Sequence, residues 1–393
     1  MRIGVDGRVL RATREPRGVA VYLERLLDEL VGLSPDDEYV VLIPGDARPG
    51  AVPSGVDVVT AGRAVHARGA LTGRPRLDVL LGRPDLVWMP APAPVALSPD
   101  AVYALTVHDL SFVHRPRDFS AYERLWHRLA RLRRLGERAR LVITDTGVVR
   151  EQLLDEWQLG TNRVRVVPPG PGRAAQPADG KHGREQGHPV PAEDGGAEAA
   201  LDAGRVAPEA GRVAAEAGRG AAEAGRHVLA VGGIEPRKLP LLLVRAHALA
   251  RSRGLRAGLV LAGDGPLADE VQAAGATVLR SPTDAQLEAA YADALCLACV
   301  SREEGFGFTP LEALAAGVPP VVSDLPVFRE TLAEAALRVP AGDVDALAGA
   351  LLRIEREPEL RARIVDAGRA RLRELSWKRA ARETHALFEE AAG

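Results

Sequence analysis

Two acidic and two basic side chains stand in glycine-containing segments of the 393-residue sequence. Glu304 and Glu312 lie eight residues apart, and Arg237 and Lys238 are adjacent, shortly after the paired glycines 232–233. Ionised carboxylates are strong acceptors for sugar hydroxyl groups, whereas two cations at a helix start oppose the helix dipole unless an anion lies beside them. The segments therefore predict a site for a ligand that has both hydroxyl groups and a diphosphate.

The two carboxylates could instead be the acid and the base of a glycosidase. Eight residues of continuous helix separate two side chains by about 12 Å, whereas retaining glycosidases need about 5 Å and inverting ones at most about 9.5 Å. A glycine turn before a helix that begins near Thr309-Pro310 also provides free N–H groups for an anion. We therefore interpret Glu304 and Glu312 as binding groups.

Short apolar runs, which alternate with stretches of helical spacing, must position these side chains. This alternation is typical of parallel sheets covered by helices, so the sequence predicts an α/β fold with two doubly wound, Rossmann-like domains. Ligands bind at the carboxyl ends of such strands, so the predicted site is the cleft between the domains. The predicted strands are 2–5, 39–43, 86–89, 104–107, 141–144, 164–167, 228–233, 257–263, 276–279, 294–299 and 319–323.

Composition divides the chain at a segment that cannot build a core. Residues 171–226 are rich in Gly, Ala, Arg and Pro, and a seven-residue unit containing Ala-Gly-Arg recurs four times from Leu201. A coiled coil is disfavoured because every unit contains a helix-weakening Gly, so we expect a flexible or weakly helical linker. We expect an N-terminal domain at 1–170, a C-terminal domain at 227–375, and a C-terminal helix at 376–393 that packs back on the N-terminal domain.

Composition also excludes several classes of protein. The net charge of −2 gives no overall field for nucleic acid, and no apolar run reaches the roughly 18 residues of a membrane span. No apolar stretch as long as that of a signal peptide follows Met1, so we expect a cytoplasmic protein. Cys296 and Cys299 form the only C-x-x-C, which we interpret as buried strand residues rather than a redox or metal site.

Several motifs in a fixed order resemble those of a known enzyme family. The segment E-G-F-G-F-T-P-L-E-A begins at Glu304, and E-P-R-K begins at Glu235. In the first half, the segment that begins at Ile3 and the one around His108 look like family segments, and L-S-W-K-R-A-A-R-E-T from Leu375 looks like its closing motif. The sequence resembles the retaining glycosyltransferases of family 4, also called group 1. Their GT-B fold has two Rossmann-like domains that face a cleft.

The resemblance implies a role for each residue that matches a family motif. Glu304 would bind hydroxyl groups of the donor sugar, and Glu312 would hold the ribose of the nucleotide. Arg237 and Lys238 would stabilise the departing diphosphate, which implies that neither a metal ion nor a cofactor is needed beside the nucleotide-sugar co-substrate.

The remaining implied site residues lie at glycine turns and strand ends. His108 would line the cleft near the transferred sugar as a further catalytic residue; the alternative is a core or capping histidine. Asp109 and Tyr22 are expected on the acceptor side. The other expected donor-binding residues are Gly18, Gly233, Gly263, Gly305, Phe306, Gly307 and Leu311.

The implied activity is the retaining transfer of a hexose from a GDP-mannose-like or UDP-sugar donor to a hydroxyl group of a glycan, a glycolipid or a small molecule. The segment Ser323–Glu330 resembles the mannosyltransferase-like subgroup, which implies a part in polysaccharide biosynthesis. Ala20, Val21 and Leu239 replace a glycine, a cation and an asparagine that the family usually has. This departure leaves a noncatalytic nucleotide-sugar-binding or partner-binding protein as an alternative; an epimerase of the same fold fits the two glutamates less well.

The segment 123–140 contains seven arginines and two glutamates. Leu125, Trp126, Leu129 and Leu132 give it an apolar stripe, so the pattern predicts one basic amphipathic helix. Such a helix can lie on an anionic membrane surface, which suits a lipid-linked acceptor at the inner face of the membrane. The alternative is a domain helix with its stripe on the sheet and its arginines in solvent.

Overall fold

Two parallel sheets, one in each half of the chain, form the framework of the protein. The computed structural model describes residues 1–10, 18–45, 47, 52–172 and 226–393. The first sheet has the strand order β3-β2-β1-β4-β5-β6-β7, and the second has the order β10-β9-β8-β11-β12-β13. This arrangement confirms the predicted α/β class with two Rossmann-like domains. The repeats that begin at Leu201 lie outside the described residues.

The strands follow the apolar runs of the sequence. Those of the first sheet are β1 (Arg2–Asp6), β2 (Glu38–Pro44), β3 (Asp57–Ala61), β4 (Leu86–Met89), β5 (Tyr103–Thr106), β6 (Leu141–Thr144) and β7 (Val164–Val166). Those of the second are β8 (His227–Val231), β9 (Gly258–Ala262), β10 (Thr277–Leu279), β11 (Ala294–Cys299), β12 (Pro320–Ser323) and β13 (Leu337–Val339). Central strands such as β4 are buried at every residue, because helices cover both faces of a parallel sheet.

Helices connect the strands and cover both sheets. In the first half they are α1 (Val19–Leu33), α2 (Arg63–Thr72), α3 (Leu77–Leu80), α4 (Ser111–His114), α5 (Ala121–Ala130), α6 (Leu132–Arg138) and α7 (Gly147–Trp157). In the second half they are α8 (Pro240–Ser252), α9 (Ala268–Ala273), α10 (Asp284–Ala292), α11 (Phe308–Ala315), α12 (Pro326–Leu332), α13 (Val344–Arg356), α14 (Pro358–Glu374) and α15 (Trp377–Ala392). Short 3₁₀ turns occupy Pro116–Asp118 and Pro236–Lys238.

The basic segment 123–140 is not the single helix that its pattern predicts. It is divided between α5 and α6 by Arg131, which has a left-handed backbone with φ 48°. Ala130 and Leu132 are both buried, yet in a continuous helix they would lie about 200° apart around the axis. The break at Arg131 lets both side chains reach the same core, which a straight helix does not allow.

The C-terminal helix α15 lies against the first domain. It packs on α1, and Trp377 and Phe388 belong to the core cluster that contains Tyr22 and Trp88. The indole N–H of Trp377 donates a hydrogen bond of 2.8 Å to the carbonyl of Pro171. The last helix therefore fastens the end of the chain to the domain with which the chain begins.

Candidate active site in the cleft between the two sheets

A cavity of about 730 Å³ lies where the two domains face each other. Most of the residues expected at the site line it, although they come from separate parts of the chain. These are Gly18, His108, Asp109, Gly233, Arg237, Lys238, Glu304, Gly305, Phe306, Gly307 and Glu312. They converge because each follows the carboxyl end of a parallel strand or begins the helix after it, and such ends meet at one edge of a sheet.

Glu304 is the centre of a charged cluster in this cavity. Its Oε1 forms an ion pair with Lys238 and accepts a hydrogen bond of 2.5 Å from the hydroxyl of Ser301. The guanidinium of Arg237 lies 3.9 Å from Oε2. The side chain of Glu304 is only 10% exposed, so these three groups replace the water that an exposed carboxylate would have.

The cluster keeps Glu304 ionised. Burial raises the pKa of the carboxyl group, but the charges of Lys238 and Arg237 outweigh burial, and the pKa is lowered from its ordinary value. Glu304 can therefore only accept hydrogen bonds near neutral pH, as a group that binds sugar hydroxyls requires.

Arg237 and Lys238 lie in the 3₁₀ turn Pro236–Lys238 rather than in the helix that follows it. Leu239 separates this turn from α8 and has a left-handed backbone with φ 48°, a conformation that a leucine adopts only at a cost. Arg237 is also held by Glu235, whose carboxylate lies 2.9 Å from the guanidinium. The turn therefore presents two cations side by side to the cavity.

The turn 305–307 brings the second domain against the first. The hydroxyl of Thr146, in the first domain, donates a hydrogen bond of 3.1 Å to the carbonyl of Gly305. A Cβ atom at position 305 would overlap the carbonyl oxygen of His108. Gly307 has φ 96° and begins α11, whose first N–H groups have no partner within the helix. Glycine at these positions permits the close approach and the helix start.

His108 lies between two hydrogen-bond acceptors. Its Nδ1 is 2.7 Å from a carboxylate oxygen of Asp145, and its Nε2 is 2.9 Å from the carbonyl oxygen of Pro90. Burial lowers the pKa of the ring, but the charge of Asp145 outweighs burial, so the pKa is raised. A ring that donates from both nitrogens has no lone pair for a proton, so His108 contributes a positive charge rather than a general base.

Three of the expected site residues lie behind the cavity wall. Tyr22 is 1% exposed and packs edge-on against the His108 ring, with ring centroids 4.7 Å apart. Leu311 is fully buried in the core of the second domain, and a Cβ atom at Gly263 would overlap the carbonyl of Gly232. These three residues pack beneath the cavity wall and hold the residues that line it, and they do not face the cavity themselves.

Ser301 and Asp145 are site residues that sequence reasoning missed. Each follows a buried strand directly or within two residues, which is the position from which a polar side chain can reach the cleft. The Oδ1 atom of Asp145, which is 1% exposed, has no hydrogen-bond partner within the part of the chain that the structure describes. Both residues could have been predicted from the sequence, because each is a polar residue just after a buried strand.

Neither a metal-binding cluster nor a membrane-spanning helix is present within residues 1–10, 18–45, 47, 52–172 and 226–393. These ranges contain no group of three or more His, Cys, Asp or Glu side chains placed to hold a metal ion. None of their helices combines the length and the apolar character that crossing a membrane requires.

Two family models match the chain. The model described as glycosyl transferases group 1 matches residues 215–371, and the model described as glycosyltransferase family 4 matches residues 16–171. The match over 16–171 covers strands β2 to β7 of the first sheet, and the match over 215–371 covers the whole second sheet. The first two repeat units lie between the matches, and the last two lie at the start of the match over 215–371.

Curated relatives align over part of their length. D-inositol 3-phosphate glycosyltransferase of Saccharomonospora viridis is 35% identical over 42% of this chain and 43% of its own. Phosphatidyl-myo-inositol mannosyltransferase of Mycobacterium leprae is 41% identical over 26% of this chain and 27% of its own. The O-antigen chain mannosyltransferase RfbU of Salmonella typhimurium is 39% identical over 21% and 24%. The chain thus spans less than half the length of these relatives.

Solved structures share the fold over nearly the whole chain. Anabaena HepE in complex with UDP and glucose aligns with a TM-score of 0.63 over 99% of this chain and 100% of its own, at 14% identity. WaaG, a glycosyltransferase involved in lipopolysaccharide biosynthesis, aligns with a TM-score of 0.64 over 98% of both chains, at 16% identity. At these identities the likeness establishes the fold of two facing domains.

Proposed function

Because the chain belongs to the group 1 glycosyltransferases and is mannosyltransferase-like, we propose that it transfers a hexose from a nucleotide-diphosphate sugar to an acceptor hydroxyl, with retention of anomeric configuration. The donor is a GDP-mannose-like or UDP-sugar, because relatives include mannosyltransferases with GDP-mannose in their name and a structural neighbour bound to UDP and glucose. The acceptor is a hydroxyl group of a glycan, a glycolipid or a small molecule.

The observation that carries the proposal is the cluster of Glu304 with Lys238 and Arg237. The two cations share the buried carboxylate of Glu304, and Arg237 has Glu235 as a second partner. A diphosphate that enters the cavity competes for the cations, and Glu304 is then left as an ionised acceptor beside the sugar. One cluster therefore provides opposite charges for the two halves of a nucleotide sugar.

The proposed reaction is a front-face substitution. The acceptor oxygen forms a bond to the anomeric carbon on the side from which the diphosphate leaves, the bond from that carbon to the phosphate oxygen breaks, and the acceptor proton passes to the departing phosphate. This route needs no protein base, which agrees with a His108 ring whose nitrogens both face acceptors. The cations at 237 and 238 stabilise the charge that develops on the diphosphate, and we expect no metal requirement.

The remaining expected contacts follow from the cavity wall. Glu312 would hold the ribose; Gly172 lies against its carboxylate, and a Cβ atom there would overlap it. The N–H groups of the turn 305–307 would hold the sugar or its phosphate. His108 and Asp109 face the cavity from the first domain, which we propose binds the acceptor.

We also propose a peripheral membrane contact through residues 123–140. Helix α5 leaves Tyr122 66% and Leu125 54% exposed, and the same helix contains Arg124 and Arg128. Exposed apolar groups among cations suit an anionic bilayer surface, such as the inner face of the cytoplasmic membrane. Sedimentation with anionic and with neutral vesicles tests this: binding to anionic vesicles that is lost in Arg133→Glu/Arg134→Glu supports it, and equal binding by the variant contradicts it.

A donor screen tests the function. A nucleotide sugar that binds should raise the melting temperature by linkage, and each donor that does so is then incubated with and without candidate acceptors. Transfer that depends on the acceptor supports the proposal. Binding without turnover across the donor panel would instead indicate a noncatalytic binding protein, and a new sugar nucleotide formed without acceptor would indicate an epimerase.

A further inference from the structure

His114 connects the two domains through two carboxylates. Its Nδ1 lies 2.6 Å from Glu303 of the second domain, and its Nε2 lies 2.7 Å from Glu156 on α7 of the first. The ring is 29% exposed, and Glu303 is 14% exposed. An ionised carboxylate only accepts hydrogen bonds, so both contacts are satisfied only by a ring that has a proton on each nitrogen.

Several other charged groups lie around the His114 ring and its two carboxylates. Arg115, the next residue, has its Nε 3.7 Å from the second oxygen of Glu303. Arg237 donates a hydrogen bond of 3.4 Å to the backbone carbonyl of Glu303. Glu156 lines a cavity of about 370 Å³, which is also lined by Arg124, His127, Arg128 and Arg133. Burial lowers the pKa of His127, which is the opposite of the shift at His114.

The contacts of His114 with Glu303 and Glu156 form a bridge between the domains. This bridge lies beside the donor-binding residues, because Glu303 directly precedes Glu304 in the sequence. The neighbouring interdomain contacts do not depend on a histidine: Thr146 donates to the Gly305 carbonyl, and the Glu330 carboxylate accepts from the N–H groups that begin α7. Among these contacts, His114 is therefore the one whose charge changes near neutral pH.

We propose that His114 is a positioning residue, and that its protonated ring holds the donor-binding turn 302–307 against the first domain in the closed arrangement of the cleft. That closure positions the turn for sugar transfer rests on the proposed function, whereas the effect of His114 on closure does not. When the His114 ring becomes neutral, one of its nitrogens has a lone pair that faces a carboxylate and can no longer donate to it. The negative charges of Glu156 and Glu303 then lie near each other across the cleft without the positive charge of the ring between them.

The direction of the pH dependence follows from the closed state. Burial lowers the pKa of His114, but Glu156 and Glu303 outweigh burial, so the pKa is raised above its ordinary 6.5. The bridge therefore stabilises closure fully below that ordinary value, and its contribution is lost as the pH rises through the raised value. For a partly exposed pair, we expect the ratio of closed to open molecules to fall about fivefold.

The test measures closure by energy transfer between two dyes, without substrate. Cysteines introduced as Asp100→Cys and Glu359→Cys label one domain each. Burial raises the pKa of both native thiols to about 12, which disfavours their labelling near neutral pH, and the native protein treated with the same dyes is the control for labelling at Cys299. We expect the closed fraction to fall from about pH 6 to about pH 9. His114→Arg, with a permanent charge, should keep the higher closed fraction across this range, and His114→Asn should show the lower closed fraction at every pH.

The control is His247→Asn, which alters a histidine within the second domain that contacts the carbonyl of Ala257; it should keep the pH response of the native protein. Closure that does not change with pH in the native protein, or that changes equally in the His114 variants, overturns the proposal. The affinities of the native protein and of His114→Arg for UDP and for GDP are measured at the same pH values. The ratio of the two affinities cancels the pH dependence that comes from titration of the nucleotides themselves. A normal pH response of closure without any transfer would contradict the proposed function and leave the bridge standing.

Discussion

Lys238→Ala removes one of the two cations that we assign to the departing diphosphate. Electrostatic groups aimed at charge that develops in a transition state contribute about 10²- to 10³-fold to kcat. Because Arg237 remains, we expect a loss within that range rather than complete inactivation. Lys238→Arg should recover only part of the rate, since a planar guanidinium does not reproduce the point charge of an ammonium group.

The same substitution has a cost in folding stability. It leaves Glu304, 10% exposed, with Arg237 at 3.9 Å and the hydroxyl of Ser301. Breaking a buried ion pair costs about 3–5 kcal/mol, and the two remaining partners reduce the expected loss to about 2 kcal/mol. The lowered pKa of Glu304 means that its stabilisation is present above its ordinary value of 4.5 and is lost as the pH falls through the lowered value. The difference from the native protein should therefore shrink in acid.

Urea denaturation at several pH values and steady-state kinetics measure these effects, with Lys378→Ala as the control. Lys378 is an exposed lysine on α15, so its removal tests loss of a lysine charge away from the cleft. A folded Lys238→Ala protein with the kcat of the native enzyme would refute the assigned role of the cation. A large stability difference that persists in acid would refute the electrostatic explanation.

Four further predictions concern the rest of the site. Gly305→Ala should abolish transfer because its Cβ atom would overlap the His108 carbonyl, while circular dichroism remains native. Asp145→Asn should lower the free energy of unfolding by about 2 kcal/mol; since the pKa of His108 is raised, the loss should be largest at acidic pH and fade as the pH rises, which urea denaturation measures. Glu312→Gln should raise the KM for the donor with little change in kcat. Excess EDTA should leave the rate unchanged, because the cation pair supplies the charge.

Each of these predictions has a contradicting outcome. An active Gly305→Ala enzyme would show that the turn does not need its contact with the first domain. A stability loss in Asp145→Asn that grows with pH would contradict the doubly protonated His108. Unchanged donor KM in Glu312→Gln would remove its role in nucleotide binding, and loss of activity in EDTA would indicate a metal.

The sequence predicts the sheets well because their central strands are continuous apolar runs. Strands β3 and β13 were not predicted. Strand β3 is largely exposed and so does not form such a run, and the three residues of β13 directly follow the alanine-rich segment 333–336, whose composition favours a helix. The break at Arg131 was not predicted either, because the charge pattern of 123–140 continues through it. Tertiary packing of Ala130 and Leu132, which the local pattern does not encode, decides the geometry there.

The site was partly predictable for a related reason. Motif residues such as Glu304 and Lys238 stand at strand ends, and parallel topology brings such ends together. The partners of His108 and His114 were not predictable, since each lies tens to more than a hundred residues away along the chain. A side chain such as Tyr22 faces the core rather than the cavity, where it packs with Trp88 and Trp377 from distant parts of the chain.

The most direct measurement follows a nucleotide sugar and an acceptor by proton NMR as the reaction proceeds, with the native protein and with Glu304→Gln. The account predicts that the first product has the anomeric configuration of the donor and that the variant, though folded, forms it far more slowly. An inverted first product, or equal rates in the two proteins, would contradict it.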